Sequence, residues 1–122
     1  MTLIFQIFAI LAGLLHVLFW LLESVLFTRP PVYRRFGVRS QAEAETLRSM
    51  ALNQGFYNLF LAVGAIGGAI AANTVAGRAI AIFCCGSMVA AALVLVISNP
   101  KLARAAVIQA VMPLLALIFA VV

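Results

Sequence analysis

Apolar residues fill four long stretches of the chain, and short polar segments separate them. The stretches cover about residues 3–27, 50–72, 78–98 and 102–122. Because a helix needs about 20 residues to cross the hydrocarbon layer of a bilayer, each stretch is long enough to span a membrane. The pattern therefore predicts an all-α integral membrane protein, with residues 1–122 forming a single four-span domain built as a four-helix bundle.

Local polar motifs predict where these helices begin. Ser40 followed by Glu43 is a capping-box pattern, so we expect the second helix to begin well before its membrane segment. Residues 73–77 are expected to form a turn before the third span. Asn99 and Pro100 then offer an N-cap and a first-turn proline for the fourth helix. The Arg29–Arg39 stretch, within the connection of residues 28–49, is predicted to be the only polar loop of any length.

The distribution of basic residues predicts the orientation of the spans. The chain has eight Lys and Arg residues against three Asp and Glu, and its formal net charge is +5. Five of the eight lie between Arg29 and Arg48, and the third connection carries Lys101 and Arg104, whereas the second carries only Arg78. By the positive-inside rule, residues 28–49 form a cytoplasmic loop and both termini lie outside, in the periplasm. A basic cluster between two apolar spans fits orientation better than nucleic-acid binding, so no nucleic-acid partner is expected.

Composition narrows the class of protein further. Hydrophobic residues make up 66% of the chain and charged residues 9%, whereas soluble domains are about a quarter charged. A soluble chain this short could not bury so much apolar surface. Cys84 and Cys85 are adjacent and point about 100° apart on a helix, so we expect packing residues with no metal site and no cofactor. The first apolar run lacks a preceding basic segment, so a retained helix is expected rather than a signal peptide.

Small residues are concentrated in the second and third spans, where they predict close helix contacts. Gly64 and Gly68 form a small-xxx-small pair of the kind that lets two membrane helices approach closely. We expect this face to pack within the four-helix bundle. The alternative is a homodimer that forms through the Gly64/Gly68 face.

Polar side chains inside the predicted spans cluster in the cytoplasmic half, where Glu23 lies level with Asn53 and Gln54, and Gln109 lies level with Tyr57 and Asn58. Because such residues are costly in lipid, each predicts either an interhelical hydrogen bond or a functional site. Glu23 is the only acidic residue in any span, and Pro113 removes the helical partner of the Gln109 carbonyl. The ligand-binding residues predicted from this cluster are His16, Trp20, Glu23, Asn53, Gln54, Tyr57, Asn58 and Gln109.

The leading hypothesis is that these residues line a polar pocket that binds a small amphipathic or lipid-like ligand. Glu23 and the side chains of the second span would hold its polar end, and Trp20 and Phe60 its apolar part. One alternative is an intramembrane enzyme, such as an isomerase of a lipid-soluble substrate, with Glu23 and His16 as acid and base. Others are an oligomeric small-molecule transporter and a purely structural membrane subunit, in which the polar groups only hold helices in register.

The polar residues also carry a resemblance to a known family. His16, Glu23, Pro31, the run Tyr33-Arg34-Arg35-Phe36-Gly37 and the run Asn53-Gln54-Gly55-Phe56-Tyr57-Asn58 resemble the small bacterial membrane proteins called domain of unknown function 1304. Gln109 with Pro113 is similar to a late Gln and Pro feature of that family. Leu15 stands where the family pattern has an acidic residue, and a Tyr-Gly pair near the end of the third span is missing. The resemblance implies a compact, multi-pass four-helix protein of the bacterial inner membrane, and it implies no activity.

Overall fold

The computed structural model describes residues 3–122, and every regular element within them is helical. Helix α1 continues directly into a π-helical segment, and short 3₁₀ segments stand in two of the connections. The prediction of an all-α chain is confirmed. In chain order the elements are α1 (Leu3–Trp20), the π segment (Leu21–Val25), α2 (Pro30–Tyr33), a 3₁₀ turn (Arg34–Phe36), α3 (Gln41–Ile70), α4 (Val75–Ser98), a second 3₁₀ turn (Pro100–Leu102) and α5 (Ala103–Val121).

Three helical stretches are long and apolar enough to cross a membrane. They cover Leu3–Val25, Val75–Ser98 and Pro100–Val121, and they correspond to the first, third and fourth predicted spans. Helix α3 contains the second predicted span but is not one of the three. The amides of Asn53, Gln54 and Asn58 lower its mean hydropathy. The chain is thus an all-helical protein with three candidate membrane-spanning helices.

Side-chain caps set the beginnings of three helices. The Ser40 hydroxyl accepts a hydrogen bond from the Glu43 backbone N–H at 3.1 Å, so α3 begins where the sequence predicted. The Asn99 side chain accepts from the Lys101 N–H at 3.3 Å, which confirms the predicted cap before Pro100. The predicted turn at residues 73–77 is too long, because α4 begins at Val75. There the Thr74 hydroxyl accepts from the Gly77 N–H at 3.0 Å.

The Arg29–Arg39 stretch, predicted to be a polar loop, is mostly helical in the structure. Pro30 and Pro31 occupy the first turn of α2, where their fixed φ angle suits a helix and their missing N–H groups cost nothing. Gly37 then adopts a left-handed φ of 78° that ends the following 3₁₀ turn. From Gln41 onward the connection belongs to α3, which begins where the sequence predicted.

Part of this connection is buried rather than exposed to solvent. Tyr33 is buried beside Phe27 and Val38, and the same cluster includes Ala44 and Ala51 of α3. The ring centroids of Phe27 and Phe36 lie 5.7 Å apart. Phe27, Tyr33 and Phe36 therefore take part in a small core within the polar connection.

The described chain divides into two compact units. The polar unit is residues 17–60, and the apolar unit is residues 3–16 with 61–122. The core of the apolar unit is built from small side chains around a few large ones, Phe5 and Met88 among them. Its members are Phe5, Ala9, Ala12, Ala65, Ala69, Ala72, Ala81, Cys84, Cys85, Met88 and Ala116.

Glycines allow close helix contact inside the apolar unit. A Cβ atom added to Gly68 would lie 2.6 Å from the Ala81 nitrogen and 2.7 Å from the Gly77 oxygen, so α3 and α4 touch there through their backbones. Gly64 lies against the Cys84 side chain. The Gly64/Gly68 face thus packs against α4 of the same chain, as the bundle interpretation expects, and the homodimer remains a prediction.

Candidate functional site

The site begins at the π segment, where the chain leaves α-helical geometry. The Leu26 N–H donates to the Leu21 carbonyl at 2.9 Å, a bond that spans five residues instead of four. A π turn holds an extra residue and redirects the side chains within it, and such turns are frequent at functional sites. Glu23 stands in this turn. A separation of seven residues would put His16 and Glu23 on one face of a regular α-helix, and the π turn departs from that geometry at Glu23.

Glu23 is joined to α3 by a side-chain hydrogen bond. The Asn58 Nδ2 group donates to Glu23 Oε1 at 2.5 Å, across 35 residues of sequence. Asn58 is 7% exposed, whereas Glu23 is half-buried. Within residues 3–122 the Asn58 amide is the one hydrogen-bond donor to this carboxyl group. The carboxyl group, which can accept several hydrogen bonds, therefore keeps most of its capacity.

The heptad pattern of α3 explains why Asn58 points inward. Within the polar unit, Ala44, Ala51, Gly55 and Asn58 are the buried positions of this helix. Their spacings of seven, four and three residues place them on one face. Asn58 is the only polar side chain on that face. Because a buried amide needs a hydrogen-bond partner, its bond to Glu23 stabilises this arrangement.

Gly55 and Ser24 bring the π segment and α3 into contact. A Cβ atom on Gly55 would overlap the Ser24 hydroxyl and lie 3.0 Å from the Ser24 backbone nitrogen. The Ser24 hydroxyl itself donates to the Leu52 carbonyl at 2.8 Å. A larger residue at position 55 would force Ser24 to shift, so glycine favours this approach, which places Glu23 next to α3.

The polar unit also contains an aromatic row, formed by Trp20, Phe56 and Phe60. Trp20 lies in the turn before Glu23, and its ring meets Phe56 edge-on with the centroids 6.0 Å apart. Phe60 continues the row, with its centroid 6.3 Å from that of Phe56. The Trp20 Nε1–H group is buried and has no hydrogen-bond acceptor in the part of the chain described. A buried N–H group without an acceptor costs about 1–3 kcal/mol, so this donor is expected to meet an acceptor from outside the chain.

The remaining predicted residues of α3 lie on its exposed side. Asn53, Gln54 and Tyr57 are exposed, and Tyr57 exposes 56% of its surface. None of the three side chains hydrogen-bonds to another group within residues 3–122. In the polar unit, the structure therefore joins Glu23 to Asn58 and places the Trp20 ring against Phe56, but it does not bring the other two amides or the tyrosine to Glu23.

Two predicted residues, His16 and Gln109, belong to the apolar unit. His16 is fully buried, and its Nδ1 group donates to the Ala12 carbonyl one turn earlier, at 2.8 Å. Gln109 is half-buried on α5. Pro113 is buried inside the same helix and has no N–H to donate to the Gln109 carbonyl, as predicted.

Sequence reasoning missed two polar residues that join helices. One is Ser24, described above. The signal for it was Gly55 in the middle of the Asn-Gln-Gly run, because a glycine inside a helix often marks a close approach. The other is Gln6, whose side-chain amide donates to the Ala69 carbonyl at 2.9 Å within the apolar unit. Gln6 stands alone in an apolar run, which is itself the pattern of a polar group held by a neighbouring helix.

The fold and the site define the class of protein. It is an all-helical chain with membrane-length apolar helices and one carboxyl group inside a candidate span. Within residues 3–122, no three His, Cys, Asp or Glu side chains are grouped to hold a metal ion.

The chain belongs to the family described as "Protein of unknown function (DUF1304)", whose model matches residues 10–121. The resemblance stated from the sequence motifs is thereby confirmed. The chain matches no curated protein and no solved structure.

Proposed function

We propose that this protein binds a small amphipathic or lipid-like molecule inside the membrane, with the Glu23 carboxyl group as the main polar contact. The observation that carries the proposal is the Asn58–Glu23 hydrogen bond at 2.5 Å, which fixes the carboxyl group of a π turn against α3. A carboxyl group within a membrane span is costly, and it is more often functional than structural.

Unused hydrogen-bonding groups favour a ligand over a purely structural role. Asn58 accounts for one bond to Glu23, and the carboxyl group has room for more. Trp20 directly precedes the π segment that holds Glu23, and its indole N–H has no acceptor in the described chain. A hydroxyl group of a ligand can accept from an N–H group such as Trp20 Nε1 and donate to a carboxyl group such as that of Glu23. The ligand is therefore expected to carry a hydroxyl or a similar group that both donates and accepts.

The aromatic row supplies a surface for the apolar part of the ligand. Phe56 and Phe60 lie one turn apart on α3, and Phe60 exposes 61% of its surface. A hydrocarbon tail that extends along these rings would remain in an apolar environment. Exposed Asn53 precedes Phe56 by three residues and exposed Tyr57 precedes Phe60 by three, so both are neighbours of the row and could bind further polar atoms of the head group.

In this proposal α3 is the second of four spans of a four-helix bundle, and both termini lie outside the bacterial inner membrane. Large apolar side chains remain exposed along α3, from Met50 at 71% and Val63 at 63% to Ile70 at 70%, as expected where a helix contacts lipid. The five basic residues between Arg29 and Arg48 support a cytoplasmic position for the first connection.

The test is native mass spectrometry of protein gently extracted from its own membrane, comparing the wild type with Glu23→Gln. The glutamine side chain of this variant keeps an oxygen that can accept from Asn58, so the fold should be retained while the carboxyl group is lost. We expect a specific small molecule on the wild type and at least about tenfold less of it on the variant, since a hydrogen bond to a charged group contributes roughly 1.5–3 kcal/mol.

Glu43→Gln is the matched control, because Glu43 lies in the first turn of α3, away from the predicted membrane segment. It should retain the molecule at the wild-type level. Equal occupancy in the wild type and Glu23→Gln, with no loss for Trp20→Phe either, would show that these side chains only hold helices together.

A further inference from the structure

A second feature of the apolar unit is a groove between α4 and α5. Its volume is about 220 Å³, and only Ala, Val and Leu side chains line it. Val89, Leu93 and Val96 form the α4 side, and Ala106, Ala110 and Leu114 stand among the residues of the α5 side. Both helices are candidate membrane spans, so the open side of the groove lies at the depth of lipid chains.

The length of the groove matches one leaflet of a bilayer. Its lining on α5 extends from Ala103 to Leu114, which is about 16 Å at the usual helical rise. The hydrocarbon core of a bilayer is about 30 Å thick, so one leaflet offers about half of that. Small alanine side chains line much of the α5 side, so the groove has room along its length for the narrow acyl chain of a lipid.

Positive charge stands at one end of this groove and nowhere along it. Lys101 and Arg104 are exposed and flank Ala103, the groove residue nearest the α4–α5 connection. The apolar unit contains no Asp or Glu, because the three acidic residues of the chain are Glu23, Glu43 and Glu45. The two cations therefore have no carboxylate side chain within their own unit, and a phosphate group would complement them.

We infer that the α4–α5 groove is a binding site for an anionic phospholipid. One acyl chain lies in the groove along Val89, Leu93 and Leu114, and the phosphate group binds Lys101 and Arg104. This site is separate from the Glu23 site and does not depend on the proposed function. The basic pair then selects the lipid as well as orienting the helices.

The test uses the purified full-length protein in detergent, titrated with phosphatidylglycerol or phosphatidylcholine and followed by native mass spectrometry. The wild type should bind phosphatidylglycerol more tightly. In Lys101→Gln/Arg104→Gln that preference should fall about thirty-fold, because each basic residue near an anionic headgroup contributes roughly a fivefold increase in affinity. Binding of phosphatidylcholine should not change in this variant.

Two further variants test the groove itself. Ala110→Leu fills the channel and should weaken both lipids, whereas Ala105→Leu places the same side chain on an exposed position of α5 that does not line the groove. Arg78→Gln removes the other basic residue of the unit and should leave the preference unchanged. Equal affinity of the wild type for the two lipids would overturn the inference. So would an unaltered preference in Lys101→Gln/Arg104→Gln, or a second copy of the chain crosslinked through the groove in place of lipid.

Discussion

In the apolar unit the helices meet backbone to backbone at glycine and alanine, whereas the polar unit joins its segments through side-chain hydrogen bonds. At Gly68 the α4 backbone occupies the space that a methyl group would need. At Asn58 and Glu23 the connection is one amide donating to one carboxyl group. Closely packed backbones leave no space for a ligand between them, whereas a side-chain hydrogen bond can be exchanged for a hydrogen bond to a ligand.

The contrast extends to charge. All three acidic residues and five of the eight basic residues fall within residues 17–60, although this unit is the smaller one. The apolar unit has three basic residues and no acidic ones. Charged side chains are thus concentrated in the polar unit, whereas close helix contacts hold the apolar unit together. The effects of substitutions on stability should therefore differ in size and in cause between the two units.

The largest effect is expected for Gly68→Ala in the apolar unit. The added methyl group would lie 2.6 Å from a backbone nitrogen, so the helices themselves must separate. Overpacking typically costs 1–3 kcal/mol, and a backbone neighbour places this variant near the upper value, about 3 kcal/mol. The free energy of unfolding can be measured by titrating the protein from mild detergent into dodecyl sulfate.

Gly67→Ala is the control for that measurement, because Gly67 is exposed and nothing stands within 4 Å of its added methyl group. It should be neutral, or stabilising by up to about 1 kcal/mol, since alanine favours a helix more than glycine does. Similar unfolding energies for the two variants would refute close backbone packing as the basis of this unit.

A smaller effect is expected for Gly55→Ala in the polar unit, about 1–2 kcal/mol by the same overpacking estimate. Here two of the three nearest atoms belong to the Ser24 side chain, which can rotate, at the cost of its bond to the Leu52 carbonyl. Ser24→Gly removes both atoms, so Gly55→Ala should cost clearly less in that background. Additive effects of the two substitutions in a double-mutant cycle would contradict the contact.

The Asn58–Glu23 bond should contribute less again. Interhelical hydrogen bonds in membrane proteins average about 0.6 kcal/mol and reach about 1.7, so we expect a coupling of about 1 kcal/mol between Asn58→Ala and Glu23→Ala. The matching cycle pairs Asn53→Ala with Glu23→Ala and should give a coupling near zero, because Asn53 is exposed. Equal couplings for the two asparagines would mean that both amides contact Glu23, as the predicted polar pocket requires.

The comparison of Asn53 with Asn58 shows which part of the site could be predicted from the sequence. Depth along the predicted spans placed Glu23 level with Asn53 and Gln54 and put Asn58 one turn deeper, whereas the structure joins Glu23 to Asn58. Depth carries no information about the direction of a side chain. Five residues at about 100° each place the two asparagines about 140° apart on the helix, so both could not face Glu23.

Other features had no sequence signal of this kind. The π segment replaces one hydrogen-bonding pattern by another over Leu21–Val25, and side-chain periodicity does not distinguish the two at a helix end. The packing of Tyr33 against Phe27 depends on contacts within a basic, proline-containing connection, where composition indicates a loop. Capping motifs at Ser40 and Asn99 were predicted correctly because they involve only neighbouring residues.

The smallest effect is expected for the N-cap of α4 in the apolar unit. Thr74→Ala removes the acceptor for the Gly77 N–H and should destabilise the protein by about 0.5–1 kcal/mol, toward the lower part of the range for N-caps because Thr74 is exposed. Thr74→Ser keeps a hydroxyl group and should restore most of that loss, and Asn73→Ala, one residue before the cap, should have no effect. Gly77 also packs tightly against Ala71, so the cap holds α4 in the position that the glycine contact requires. A loss above about 2 kcal/mol for Thr74→Ala would exceed what a cap contributes and would mean that this turn is part of the helix packing itself.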